Sequence, residues 1–269
     1  MSNSKNTKVK GLLVGLAGAA LLLGGSTYAL WSSEGTVTGS AAITAGDLVL
    51  SAAPATGIYD TSTDRLDSKT DTDTAKDLST LAGCLPSGTY TGHATPDGWN
   101  MVPGDSVVQV YPFKAALKGD NLVAKMTADF GTVSTSSTFA TAVEGYLKVY
   151  VNGTEISSTD IQDIKTKGNG EVVGFFQAPS QSGKDDGTLP KLPATATDYN
   201  MCVALVMTWD KDSTGKAANP NTGKVTGTTD VNADIVKLTN GLKISLVQSR
   251  NAAEVDAWKG SSNNTQFNA

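Results

Sequence analysis

The chain has 269 residues, 39% of them hydrophobic and 17% charged, with 28 glycines and a formal net charge of −5. That is enough apolar material for one large β domain or two small ones, and its acidic balance argues against nucleic acid and anionic membrane as partners. His93 is the only histidine, which excludes a His-rich zinc site and an H-E-x-x-H protease helix.

The first fifty residues organise the rest. Lys5, Lys8 and Lys10 precede an apolar run from Gly11 to Gly25, followed by the small-residue exit Ser26-Thr27-Tyr28-Ala29. A positive start, an apolar middle and a small-residue exit make a secretory signal, residues 1–29, cut between Ala29 and Leu30. The run is short for a membrane span, which needs about 20 apolar residues; an uncleaved N-terminal anchor is the alternative reading. Cleavage removes three lysines and no acid from a net charge of −5, which leaves −8 on the mature chain. The expected location is secreted, extracellular or cell-wall associated, with no membrane contact after cleavage.

Beyond the cut, Leu30 to Ser40 is small and polar apart from Leu30, Trp31 and Val37. Ile43 to Leu50 reads as the first strand of the fold, with Gly46-Asp47 marking a bend or bulge near its start. Residues 30–52 are therefore an N-terminal segment with a first strand. From Ala53 the pattern breaks down into Thr, Ser, Asp, Pro and Gly, giving an Asp/Thr-rich insertion over 53–100 with one short helical candidate around Ala75, Leu78 and Leu81.

The expected core, 101–250, is made of strands. Pro103-Gly104 is a turn before a strand from Asp105 to Phe113, and Leu122 to Asp129 alternates with Leu122, Ala124, Met126 and Ala128 on one face. Tyr146 to Val151, Asn152-Gly153 and Thr154 to Ile156 make a hairpin, because Asn-Gly accepts the positive φ values of a type I′ turn. Glu171 to Phe176 is a further strand. Tyr199 to Trp209 is apolar on both faces, as in a strand buried inside a sandwich. Asp230 to Leu238 reads equally as helix or strand, Leu242 to Gln248 alternates as a last strand, and 251–269 reads as a polar tail. Short strands and frequent turns predict an all-β fold, an antiparallel sandwich with long loop insertions.

Candidate chemistry is sparse. Six aspartates between Asp60 and Asp77 suggest calcium, but a loop begun at Asp71 places Lys76 and Ala82 where Gly and Glu are required. Asp210-Lys211-Asp212-Ser213-Thr214-Gly215 opens like a calcium loop yet reaches Asn221 at its twelfth place, and a turn explains it as well. His93 has no G-x-S-x-G elbow to serve and reads as an exposed loop residue. No catalytic residue, cofactor or metal is assigned. Cys84 and Cys202 are not spaced as a redox or zinc motif; in an exported chain they read as one long-range disulfide, the alternative being two separate thiols.

The residues around the cut resemble a known family. Gly24-Gly25-Ser26-Thr27-Tyr28-Ala29-Leu30-Trp31-Ser32 followed by Ile43-Thr44-Ala45-Gly46-Asp47-Leu48-Val49-Leu50 is similar to the start of TasA- and camelysin-like exported proteins and their actinobacterial relatives. Pro103-Gly104-Asp105 with its strand, and Leu242 to Gln248, resemble the same family's later elements. The resemblance implies a signal peptidase of the SipW class as partner during export, a jelly-roll fold, and self-association into extracellular biofilm-matrix fibres by passing an N-terminal strand to the next subunit. Leu30, Trp31, Val37 and Ile43 are the candidate donor-strand anchors. The Asp-rich insertion and the two cysteines depart from TasA, and nothing supplies ligands for the peptidase activity attributed to camelysin-like proteins. The expected function is thus an exported, non-enzymatic surface or matrix protein and fibre subunit. The alternative is a monomeric cell-surface adhesin or ligand-binding module.

Overall fold

The computed structural model describes residues 32–36, 42–45, 48–62, 74–95, 99–119, 122–166, 170–179, 189–209, 228–249 and 252–259, with backbone alone for 32–36 and 42–45. The expected signal segment, Ala29, Leu30, Trp31, Val37 and the calcium-loop candidate from Asp210 lie outside them. Strands dominate and every ladder between them is antiparallel.

In chain order the strands are β1 (Ser32–Thr36), β2 (Ala42–Ala45), β3 (Leu48–Ala52), β4 (Tyr59–Asp60), β5 (Lys76–Asp77), β6 (Thr91–Ala94), β7 (Ser106–Leu117), β8 (Val123–Asp129), β9 (Val143–Val151), β10 (Thr154–Asp160), β11 (Glu171–Gln177), β12 (Met201–Trp209) and β13 (Lys243–Ser249). Helices are α1 (Leu78–Ala82), α2 (Ser137–Ala142), α3 (Ile161–Thr166), α4 (Thr228–Gly241) and α5 (Ala252–Lys259). One sheet has the order β1-β13-β8-β11. The other runs β10-β9-β12-β7-β4-β6-β5, with β3 also on β7 and β2 on β3.

The core follows from two-residue periodicity. Ala124, Met126 and Ala128 of β8 and Ile244 and Leu246 of β13 join Leu147 and Val149 of β9 and Met201, Val203, Leu205, Met207 and Trp209 of β12 in one buried cluster. The same period sends Cys202 and Ala204 of β12, Val108 and Val110 of β7 and Tyr150 of β9 to the opposite face of the larger sheet. There they meet Tyr59, Leu78, Ala82, Cys84 and Leu85. The sequence of β12 is apolar on both faces because both are covered.

That outer cover comes from the Asp/Thr-rich insertion expected over 53–100. β4 pairs with β7 and β6, and β5 with β6, so its described strands extend the larger sheet. The short helix is real but confined to five residues: Asp77 caps it by accepting from Ser79 N at 2.9 Å, and Gly83 ends it at φ 76°. Ala75 lies before it, and Leu81 is exposed while Leu78 and Ala82 are buried. His93 is half-buried in β6 opposite Asp60 rather than in an exposed loop.

Three further expectations change. Ile43 to Leu50 is two strands, since β2 and β3 pair from Ala42↔Ser51 to Ala45↔Leu48; the bend or bulge expected at Gly46-Asp47 lies outside the described residues. The ambiguous Asp230 segment is helical, in α4. The polar tail begins with α5, whose Trp258 is buried against Phe175 with ring centroids 5.6 Å apart.

β7 carries a proline inside a sheet, where a missing N–H normally confines proline to an edge. Pro112 O accepts from Ala53 N at 2.9 Å, so its backbone polar groups face the side where the chain crosses from β3 to β4. The absent donor falls in that gap and leaves the β7–β12 ladder intact.

Two carboxylates anchor helix ends, Asp77 at the start of α1 and Asp234 between α4 and the cap of α2, and both predict an acid limb. The Asp77 carboxyl is held below its ordinary value, foremost by the Ser79 N–H and then by Gly88 N–H and Ser87. Burial works against ionisation of Asp234 in α4, yet donation from Lys237 Nζ (2.9 Å) and Ser136 N (2.6 Å) more than offsets it, so its pKa is also lowered. A carboxyl whose folded pKa lies below the unfolded value of about 3.9 contributes stability above that value and loses it as pH falls through the folded pKa. Urea midpoints should therefore fall between about pH 5 and pH 2, and Asp234→Asn, already destabilised at neutral pH, should show a flatter acid limb. An unchanged limb in that variant would show that Asp234 is not a source of it.

Candidate functional site

Two regions carry candidate function, and the first is the N-terminal edge. Ser32-Ser33-Glu34-Gly35-Thr36 forms β1 on the open side of β13, with the register Ser32↔Val247 to Thr36↔Lys243. β1 lies at the end of the smaller sheet and has a strand partner on one side. Ile43 is not part of this element; it lies in the next strand, β2, paired with Leu50. Of the candidate anchors only Ile43 falls among the described residues, and it lies on a different sheet from β1.

The second region surrounds the disulfide. Cys84 and Cys202 are bonded, their Cα atoms 5.5 Å apart across 118 residues of sequence. Cys202 lies on the outward face of β12, and Gly83 at the end of α1 turns the chain so that Cys84 drops onto it. Nearby, the Tyr90 and Tyr150 hydroxyls lie 2.8 Å apart, and Glu155 accepts from Tyr150 at 2.9 Å and from Lys148 Nζ at 3.2 Å. Burial raises the pKa of both phenols. They stay protonated at neutral pH and serve as hydrogen-bonding groups rather than bases.

Beside the disulfide is an open pocket of about 520 Å³. Its floor is Gly83-Cys84-Leu85, one wall is the Asn152-Gly153 turn, and the other is Pro193 with Thr195 to Asn200. Asn152 (φ 48°) and Gly153 (φ 78°) take the left-handed values that a type I′ turn demands. Asn152 N donates to Asn200 O at 2.9 Å, which ties the turn to the opposite wall. The Asn200 carboxamide accepts from Ala115 N at 2.8 Å and donates to Ala115 O at 2.9 Å. Lys114 Nζ donates to Thr197 O at 2.5 Å and stands 5.2 Å from the centre of the Tyr199 ring.

Sequence reasoning finds the turn and both cysteines but misses the pocket. Its walls come from three segments far apart in the chain, and Tyr199, which reads in sequence as the start of a buried strand, is exposed. Among the described residues, no group of three His, Cys, Asp or Glu side chains is placed to hold a metal ion, and no helix is long and apolar enough to cross a membrane. No family model, curated protein or solved structure matches this chain.

Proposed function

We propose that this is an exported, non-enzymatic structural protein of a bacterial surface or biofilm matrix, a jelly-roll-like β-sandwich that assembles by donating its N-terminal strand to a neighbouring copy. The observation that carries the reading is β1. It is a short edge strand at the front of the mature chain, joined to its sheet through β13 alone. Its residues, Ser-Ser-Glu-Gly-Thr, include no large apolar side chain, and its ladder to β13 consists of backbone hydrogen bonds that an equivalent copy supplies equally well, although β1 also lies close to β2 and β3. When β1 leaves, β13 presents an unpaired edge, which is a template for another chain. The signal peptidase of the SipW class acts in this reading only during export, and the assembled partner is a second copy of the same chain.

Covalent locking tests it. Glu34 and Ser245 are register partners, and residues directly opposite in antiparallel strands bring Cα atoms within the range a disulfide spans. The variant Glu34→Cys with Ser245→Cys, oxidised as a monomer, should give no fibres by electron microscopy, while the wild-type mature chain forms them. Mild reduction should restore assembly, since the native Cys84–Cys202 bond is buried and opens later. Fibres from the locked variant, or their absence from the wild type under every assembly condition, would overturn the donor-strand reading. Deletion of Leu30 to Thr38 should likewise abolish assembly.

A further inference from the structure

The pocket beside the disulfide is built in a way that a purely structural loop does not require. Its volume of about 520 Å³ falls within the roughly 300–1,000 Å³ typical of small-ligand sites. Its walls are fixed before any ligand arrives. The Cys84–Cys202 bond holds the floor, Asn152 N donates to Asn200 O, the Asn200 carboxamide pairs with both the N–H and the carbonyl of Ala115, and Leu117 N donates to Pro193 O at 2.9 Å. A preformed site spends little free energy on ordering itself when it binds.

The polar groups that these ties leave over are the informative ones. Among the described residues, no hydrogen bond engages the Asn152 carboxamide, the Thr195 hydroxyl or the Tyr199 hydroxyl, and all three residues are exposed to the cleft. Asp198 adds a carboxylate that accepts from Thr197 through Oδ2 at 3.1 Å. Together they offer donors and acceptors side by side: two donors and an acceptor on the amide, both functions on each hydroxyl, acceptors on the carboxylate. Tyr199, with 39% of its surface exposed, adds the apolar ring against which a ligand's C–H groups pack.

The charge pattern narrows the ligand class. Asp198 is the one ionisable acid or base among the lining residues, apart from the Tyr199 phenol. The ammonium beside the cleft, that of Lys114, is already engaged with Thr197 O and the Tyr199 ring. An anion meets a carboxylate without a free cation to offset it, and a metal ion finds a single carboxylate where a hard cation takes six to eight oxygen ligands. A neutral ligand with several vicinal hydroxyls and an apolar ring face fits what remains. We infer that the cleft between the Asn152-Gly153 turn and residues 193–200 is a binding site for a neutral saccharide, with Tyr199 as the stacking surface and Asn152, Thr195 and Asp198 as hydroxyl partners. The site does not involve β1 and stands whether or not the protein forms fibres.

The test uses the locked Glu34→Cys/Ser245→Cys mature chain, so that assembly neither helps nor hinders it. Backbone amide NMR signals are followed during titration with glucose, galactose, mannose, N-acetylglucosamine, lactose, maltose and chitobiose, with inorganic phosphate and acetate as charged probes. At least one sugar should shift the amides of Asn152, Gly153 and Thr195 to Asn200 in a saturable way. Tyr199→Ala should weaken that binding about tenfold, or about 1.4 kcal/mol, and Asn152→Gly, which keeps the turn and removes only the carboxamide, should weaken it several-fold. Folding of both variants is checked by the unchanged amide signals of β7, β9 and β12. The inference fails if no sugar moves these amides, if phosphate or acetate moves them as strongly, or if both variants bind as the wild type does.

Discussion

The double substitution Cys84→Ala with Cys202→Ala should lower global stability by about 2–5 kcal/mol, the usual cost of removing a native disulfide. The bond closes a loop of 118 residues, and chain entropy assigns a loop of that size about 5 kcal/mol as an upper figure. Alanine fits both positions because each sulfur is already buried against apolar neighbours. The distribution of the loss is more diagnostic than its size. α1, β5 and β6 reach the rest of the sheet through two-residue ladders and a few buried side chains, chiefly Leu78, Ala82 and Leu85. Without the bond, that cover should open before the whole molecule does. Hydrogen exchange read by mass spectrometry should show protection collapsing at Leu78 N and Gly83 N, which bond Tyr90 O and Ser79 O, while amides in β12 keep theirs. A uniform loss across the chain would mean that the disulfide stabilises the molecule only through the unfolded state.

Trp209→Ala should cost about 3–5 kcal/mol, the range for removing a large aromatic from a packed interior. Trp209 heads the fully buried side chains and ends β12 where Gly104 N donates to its carbonyl and its own N–H donates to Asp105 O. Against a typical net stability of about 5–15 kcal/mol, that loss leaves a marginal fold. Trp209→Phe makes the argument sharper. The indole Nε1–H is buried with no hydrogen-bond partner among the described residues, and such a donor carries a desolvation cost of about 1–3 kcal/mol. Phenylalanine gives up some volume but removes that donor, so its expected cost is below about 1.5 kcal/mol. Urea denaturation of the two variants decides the matter: equal losses would show that the indole N–H is not a liability.

The contrast between what local pattern reveals and what it hides follows the range of the interactions. The Asn152-Gly153 hairpin, the alternation of β8 and the two-sided apolarity of β12 are legible because each is written within a short stretch of chain. The cover made by α1, β5 and β6 is legible only as a short helix. Leu78, Ala82 and Leu85 are few apolar residues among Thr, Ser and Gly, and their weight comes from lying over Cys202, Ala204, Val108 and Val110, which no local pattern shows. Trp258 is hidden for a similar reason, since it stands in a polar tail and its partner Phe175 lies far off on β11. The splitting of Ile43 to Leu50 into β2 and β3 turns on two residues, Gly46 and Asp47, whose chemistry suits a bulge and a hairpin alike. The pocket is least legible of all, since its polar groups become neighbours only after β7, β9 and β12 have aligned.

The pairing of β1 with β13 also sets an order of events. A chain is synthesised from its first residue, so Ser32–Thr36 emerges long before Lys243–Val247 exists to receive it. Every other ladder of the smaller sheet joins strands nearer in sequence, and closing the longest loop costs the most entropy, though only by about 0.6 kcal/mol for each doubling of length. β1 therefore waits for β13 through most of the molecule's birth, and until the last strand is made its ladder partner does not exist.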